Sequence, residues 1–355
     1  MHSPIKKCIF LKRAIRYLSA LSSCLLLTVG AMAMANPLLD QSRIAQGEEL
    51  MMQRRYSEAM QLFQAVIDAD PAYPAGYMYQ AVVLQAKMMD FEDYHEESFF
   101  FALLDTTIAK SQRLIEGHST ESEAWLYFYL GMAQGFKGVH EGKLERWWSA
   151  FRDGWRGYGN LKRAVRIAPD LYDAQLGIGS FIYWRSQMMR KLWWLPVIRD
   201  EREEGIALVQ RAAEKSRYSR IAARTQLVWI LMKEARYDEA IALSSRLSKQ
   251  YPDYRVFKWG WAEGLKHKRA WNPALRLYRE MLASYEADPQ SNHYSAIQCR
   301  WKIATISFEQ KRYAETISQC RRILKYDLDE TNQERLKDKL AKVRRLLKRA
   351  EERLH

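Results

Sequence analysis

The sequence has few of the residues that staple or bend a chain. Its 355 residues include four cysteines, nine prolines and sixteen glycines. So few cysteines exclude a disulfide-dense scaffold, and the scarcity of proline and glycine argues against a turn-rich all-β chain. Alternating Val, Ile and Thr runs are missing. No CxxC pair, HExxH, GxSxG or phosphate-cradling glycine loop occurs, and the seven histidines are scattered. Without a legible set of nucleophile, base and orienting group, no catalytic, metal-binding or cofactor-binding residue is assigned, and a non-enzyme is expected. Ala, Leu, Arg, Lys, Glu and Gln are plentiful instead, and these are helix formers. The expected class is all-α.

The longest apolar run is at the start. Lys6, Lys7, Lys12, Arg13 and Arg16 precede an apolar stretch from Tyr17 to Met32, and Ala33-Met34-Ala35 is the small-x-small pattern read by signal peptidase. Residues 1–35 therefore read as an export signal cut after Ala35, with Ala31-Met32-Ala33 as a second cleavage pattern. The alternatives are an uncleaved anchor over residues 9–32 and a lipoprotein signal at Leu21-Ser22-Ser23-Cys24, against which the apolar residues after Cys24 count. The expected location is the periplasm or cell envelope. Loss of those five basic residues lowers the formal net charge from +14 to +9. A basic exported chain favours acidic proteins, anionic head groups or polyanions. Nucleic acid is not expected, because no nucleic-acid-binding motif is present.

Residues 36–329 carry internal repeats. RRYSEAMQLFQAVIDADPAY, Arg54 to Tyr73, aligns without a gap to ARYDEAIALSSRLSKQYPDY, Ala235 to Tyr254. Tyr56, Glu58, Ala59 and Pro71 match Tyr237, Glu239, Ala240 and Pro252. Related copies are RAWNPALRLYREML from Arg269 and KRYAETISQCRRIL from Lys311. The pattern resembles the tetratricopeptide repeat, a helix-turn-helix unit of about 34 residues. Small residues stand at its helix crossing (Gly47, Ala59; Ala262, Ala274), an aromatic follows four places later (Phe63; Tyr278), and proline marks the exit. The resemblance implies an α-solenoid of six or seven helix pairs whose concave face holds a protein or peptide partner.

Two middle units depart from the repeat length. Gly131 and Gly157 are 26 positions apart, as are Gly179 and Gly205, against 12 for Gly47 and Ala59. Both insertions are aromatic and basic: the first holds Arg146-Trp147-Trp148, Phe151, Trp155 and Tyr158, the second Trp184, Met188 and RKLWWLP at Arg190 to Pro196. Burial between elongated hairpins is the plainer use for these rings, with RKLWWLP at a hairpin apex. An exposed surface for a partner helix or a peripheral membrane contact is the other. The candidate interaction residues are Trp147, Trp148, Arg185, Arg190, Lys191, Trp193 and Trp194.

Three further segments complete the reading. Asp90 to Glu97 is acidic and reads as a solvated helix start rather than a metal site. Residues 330–355 form a basic amphipathic helix with a seam of Leu336, Leu340, Val343, Leu347, Ala350 and Leu354, suited to capping the last repeat. Cys299 and Cys320 are the only thiols outside the export segment. In the repeat register they sit on antiparallel partner helices, so a disulfide and two separate buried thiols both fit.

Overall fold

In the computed structural model of the protein, the described residues are 41–116, 123–143, 146–189 and 199–354. They contain fifteen helices: α1 Gln41–Met52, α2 Tyr56–Ala69, α3 Ala75–Phe91, α4 Glu97–Glu116, α5 Glu123–Lys143, α6 Trp147–Ile167, α7 Tyr172–Met189, α8 Arg202–Lys215, α9 Arg220–Lys233, α10 Tyr237–Gln250, α11 Arg255–His267, α12 Trp271–Glu286, α13 Tyr294–Glu309, α14 Tyr313–Ile323 and α15 Glu330–Leu354. Each packs on its neighbours in sequence, and from α3 to α11 each odd-numbered helix also approaches the next odd-numbered one, as α13 does α15. The result is an α-solenoid of seven helical hairpins, odd helices inside, closed by α15. Residues 1–35, read above as an export signal, and the RKLWWLP motif lie outside the described residues.

The repeats fold alike because their turns are chemically alike. Arg54, Ala235, Arg269 and Lys311 occupy the same position in the four aligned segments, and all four have positive φ, from 57° to 62°. At each turn the following amide donates five residues back, as Arg55 N–H does to the Leu50 carbonyl and Arg236 N–H to the Leu231 carbonyl. This is a Schellman ending, which closes the orphan carbonyls of the first helix and reverses the chain into the second. Arg236 then pairs with Glu239 at 2.6 Å, Arg312 with Glu315 at 3.1 Å, and Arg55 with Glu58 likewise. These i,i+3 pairs are open to water and contribute little. Proline two residues beyond α2, α6 and α10 prevents continuation.

Burial follows the repeat register. Ala59, Phe63, Ala240, Ala262, Ala274 and Tyr278 are all fully enclosed. The long middle hairpins cross on the expected glycine pairs: a Cβ on Gly157 would stand 2.7 Å from the Gly131 carbonyl oxygen, and one on Gly205 would stand 2.8 Å from that of Gly179. Only a missing side chain permits such backbone approach. Helices α5 and α6 each run 21 residues and α7 runs 18, so the insertions lengthen the hairpins beyond their crossings.

The solenoid closes on itself, which the repeat pattern does not foretell. One apolar core runs from Ile44 of α1 to Phe257 of α11. At the seam, Arg54 donates to Asp90 at 2.6 Å and is also ion-paired with Asp288. Arg255 donates to Asp288 at 2.6 Å and lies over the rings of Tyr285 and Phe91. Burial opposes the charge on Asp288, but the hydrogen bonds from Arg54 and Arg255 outweigh it and hold the carboxyl below its usual range. The acidic segment is therefore not simply a solvated helix start: the Asp90 side chain is completely buried and Glu92 binds Arg335 of α15.

Helix α15 packs on α14 and α13. Its buried side is Leu336, Val343, Leu346 and Ala350. Leu340 and Leu347 are partly covered, and Leu354 is exposed. The expected seam is thus rotated to admit Leu346, because the helix has two neighbours rather than one.

Candidate interaction surface

The exposed large apolar side chains are concentrated on one edge of three consecutive hairpins. Met89 ends α3 and Phe99 begins α4; Val139 lies near the end of α5; Trp184 and Met188 end α7. Trp147, Trp148, Phe151 and Trp155 occupy the first half of α6, exposed by 60, 85, 57 and 49%. Each site lies where the first helix of a hairpin ends or the second begins. The expectation that these tryptophans are buried between elongated hairpins is corrected: lengthening carries Trp147 and Trp148 past the glycine crossing, beyond the reach of neighbouring helices.

Helix periodicity arranges this edge. Trp147, Phe151 and Trp155 are four apart and share a stripe, while Arg152 and Arg156 form a basic stripe beside it. The rings are tied together and to α7. Phe151 stacks on Trp155 with centroids 5.9 Å apart, Trp155 meets Phe181 edge-on at 5.8 Å, and Tyr158 stacks on Phe181 at 4.7 Å. Arg185 lies 5.7 Å over the Phe181 ring and is ion-paired with Glu201. Arg146 pairs with Glu141 at 3.6 Å and Arg152 with Asp153 at 3.1 Å, both acids being largely buried. Arg156 is exposed and has no acidic partner among the described residues. A shallow hollow lies beside Trp148, walled by Phe151, Arg152, Trp155 and Arg156.

Of the sequence-derived candidates, Trp147, Trp148 and Arg185 fall on this edge. Arg190, Lys191, Trp193 and Trp194 lie outside the described residues. Phe181, Arg152 and Arg156 were missed as members of the surface, although the four-residue spacing of the aromatic and basic stripes was a readable signal.

The inner face is occupied by the chain itself. Asp173 of α7 accepts from the amides of Arg217, Tyr218 and Ser219 at 3.0, 2.7 and 2.7 Å. Tyr79 and Tyr129 meet edge-on at 6.5 Å and are buried, and Trp125 packs on Tyr218 at 5.3 Å. Glu48 of α1 is pushed up to about 8 by burial and then by the Asp173 charge, with Arg220 pulling the other way.

Cys299 and Cys320 are both free and buried. They stand on partner helices as the register requires but enter different clusters. Cys299 packs with Ala262, Tyr278 and Leu282, and Cys320 with Ile297, Ala304 and Val343. Burial raises both thiols, Cys320 to about 11. Among the described residues no cluster of His, Cys, Asp and Glu could hold a metal ion, and no helix is long and apolar enough to cross a membrane.

No protein-family model matches the chain, and no curated protein matches it. Solved structures similar to it include the C-terminal part of a TPR repeat-containing protein from Cytophaga hutchinsonii, with 13% identity, 82% of this chain and 98% of that one covered, and a TM-score of 0.45. A thermophilic TPR protein from Thermus thermophilus gives 19% identity, 63% and 98% coverage, and a TM-score of 0.41. A tetratricopeptide repeat protein from Parabacteroides merdae gives 12% identity, 87% and 97% coverage, and a TM-score of 0.37. The chain's own repeat register, Schellman turns and stacked hairpins make it an α-solenoid of tetratricopeptide-like repeats.

Proposed function

We propose that this protein is a non-catalytic interaction scaffold of the cell envelope, exported by residues 1–35, that engages its partner through the aromatic and basic edge of α5, α6 and α7. The observation that carries the reading is Trp148, 85% exposed at the head of α6 and continuous with the exposed Trp147, Phe151 and Trp155. Large aromatics gathered on one edge and left in water are the usual mark of a surface awaiting a partner. The concave-face form of the scaffold, with a peptide lying against the inner helices, has less support, because Tyr79, Tyr129 and Asp173 are already buried by contacts within the chain.

Site-specific photo-cross-linking tests the choice of surface. A photoreactive side chain at Trp148 is expected to capture an envelope component, whereas one at Lys258, on the rim of the seam, is not. Capture at Lys258 alone would refute the edge reading. Fractionation tests the location: a mature chain beginning at Asn36 is expected in the envelope fraction, and full-length protein in the cytosol would refute export.

A further inference from the structure

We propose that the occupant of the aromatic edge is the head-group layer of an anionic phospholipid bilayer, a proposal that rests on the reading above that this edge is the binding surface. The shape argues first. The exposed side chains lie along the ends of consecutive hairpins rather than inside a cleft, and helices pack about 10 Å apart. A surface of that kind is broad and shallow, and the hollow beside Trp148 is open rather than a pocket for a single anchor. A planar partner matches it better than a single peptide strand or helix, which would cover one hairpin and leave the next bare.

The side chains argue second. Indole joins a large apolar ring to one N–H donor, and it settles where acyl chains meet head groups. On α6 the stripe of Trp147, Phe151 and Trp155 runs beside Arg152 and Arg156, the pairing of apolar and basic faces found in helices that lie in an interface. Guanidinium groups bind phosphate oxygens through paired hydrogen bonds. The acids nearest the edge on α5 and α6, Glu141 and Asp153, are drawn inward and largely buried, while Arg146 and Arg152 stay more than half exposed. On α6 the charge offered to a partner is therefore positive, while the α3–α4 turn beside Phe99 keeps the accessible acids Asp93 and Glu96, paired with His95 and Lys87. A second copy pairing α6 against α6 is disfavoured on the same ground, because that contact sets arginines against arginines. Among the described residues no helix could span the bilayer, so the contact is peripheral.

Vesicle flotation tests this with the chain from Asn36 onward, which keeps every described helix and removes the apolar N-terminal stretch as a competing membrane contact. Flotation is expected with phosphatidylglycerol-containing vesicles, weaker flotation with phosphatidylcholine alone, and release by salt. The W147S/W148S and R152E/R156E variants, with circular dichroism and urea midpoints matching the parent, are each expected to bind at least about tenfold less, equivalent to roughly 1.4 kcal/mol. No flotation on anionic vesicles, or flotation unchanged in both variants, overturns the proposal. Cross-linking from Trp148 to an envelope protein without flotation, or a dimer that W147S/W148S dissolves, overturns the bilayer as occupant while leaving the edge as the binding surface. Neither flotation nor cross-linking from Trp148 removes both.

Discussion

Glu92, on the turn after α3, receives a 2.7 Å charge-assisted hydrogen bond from Arg335 of α15, 243 positions later in the chain. Arg335 also donates to the Glu92 main-chain oxygen at 2.6 Å and covers the rings of Tyr94 and Tyr294. The terminal helix therefore does two jobs: it covers the last hairpin, and it ties that hairpin to the second. Closure shields the inner face and leaves the hairpin edge as the place where apolar side chains meet solvent.

The seam is expected to be unequal in strength along its length. Arg255→Ala removes a buried cation and leaves Asp288 and Asp90 with less compensation, which should cost about 3–5 kcal/mol. Arg335→Ala, at a site open to water, should cost about 1 kcal/mol or less. Urea denaturation followed by circular dichroism measures both, and equal losses would contradict the difference in burial.

Ala235 holds a left-handed backbone, φ 57°, on the Schellman turn between α9 and α10. Glycine adopts that conformation without the Cβ penalty, so Ala235→Gly should stabilise the protein by about 0.5–1 kcal/mol despite its greater entropy when unfolded. A lowered urea midpoint would show that the turn is not strained.

The aromatic edge and the glycine crossing are expected to respond oppositely. W147S/W148S should change stability by less than about 0.5 kcal/mol, as surface substitutions do. Gly157→Ala presses a methyl group against the Gly131 carbonyl and should cost about 1–3 kcal/mol by forcing α5 and α6 apart. Thermal melts of both variants decide the matter.

Glu48, pushed up to about 8 in the fold, binds a proton more tightly there than in the unfolded chain. Its contribution is fully present below the usual glutamate value of 4.5 and is lost as pH rises through about 8. Glu48→Gln should therefore flatten the decline in stability between those limits and raise the melting temperature at pH 8. An unchanged slope would mean that Glu48 is as solvated in the fold as out of it.

In the chain from Asn36 onward, which lacks Cys8 and Cys24, both thiols should label when the protein is denatured without reduction, and neither should label quickly in the native state, because Cys299 and Cys320 are fully buried. Mass spectrometry after alkylation counts them. Zero labels on a monomer would show a bridge instead.

Local chemistry made the helices, their turns and their crossings readable from sequence. Proline stops a helix that would run into it, though the first turn admits it as Pro273 of α12 shows; four-residue spacing assigns a face, and a glycine pair 26 positions apart marks a crossing whichever hairpins lie around it. The all-α class, the repeats, the two long middle hairpins and the capping helix all rest on interactions between residues close in the chain. Closure does not. Arg54 and Asp288 are 234 positions apart, and nothing in either neighbourhood names the other, because their meeting depends on the small rotation accumulated from hairpin to hairpin. The fate of the tryptophans was hidden for the same reason: aromatic spacing is identical for a ring packed against a neighbour and a ring beyond its reach. The repeat register placed Phe63 inside, and only the stacking of seven hairpins decided that Trp148 stands in water.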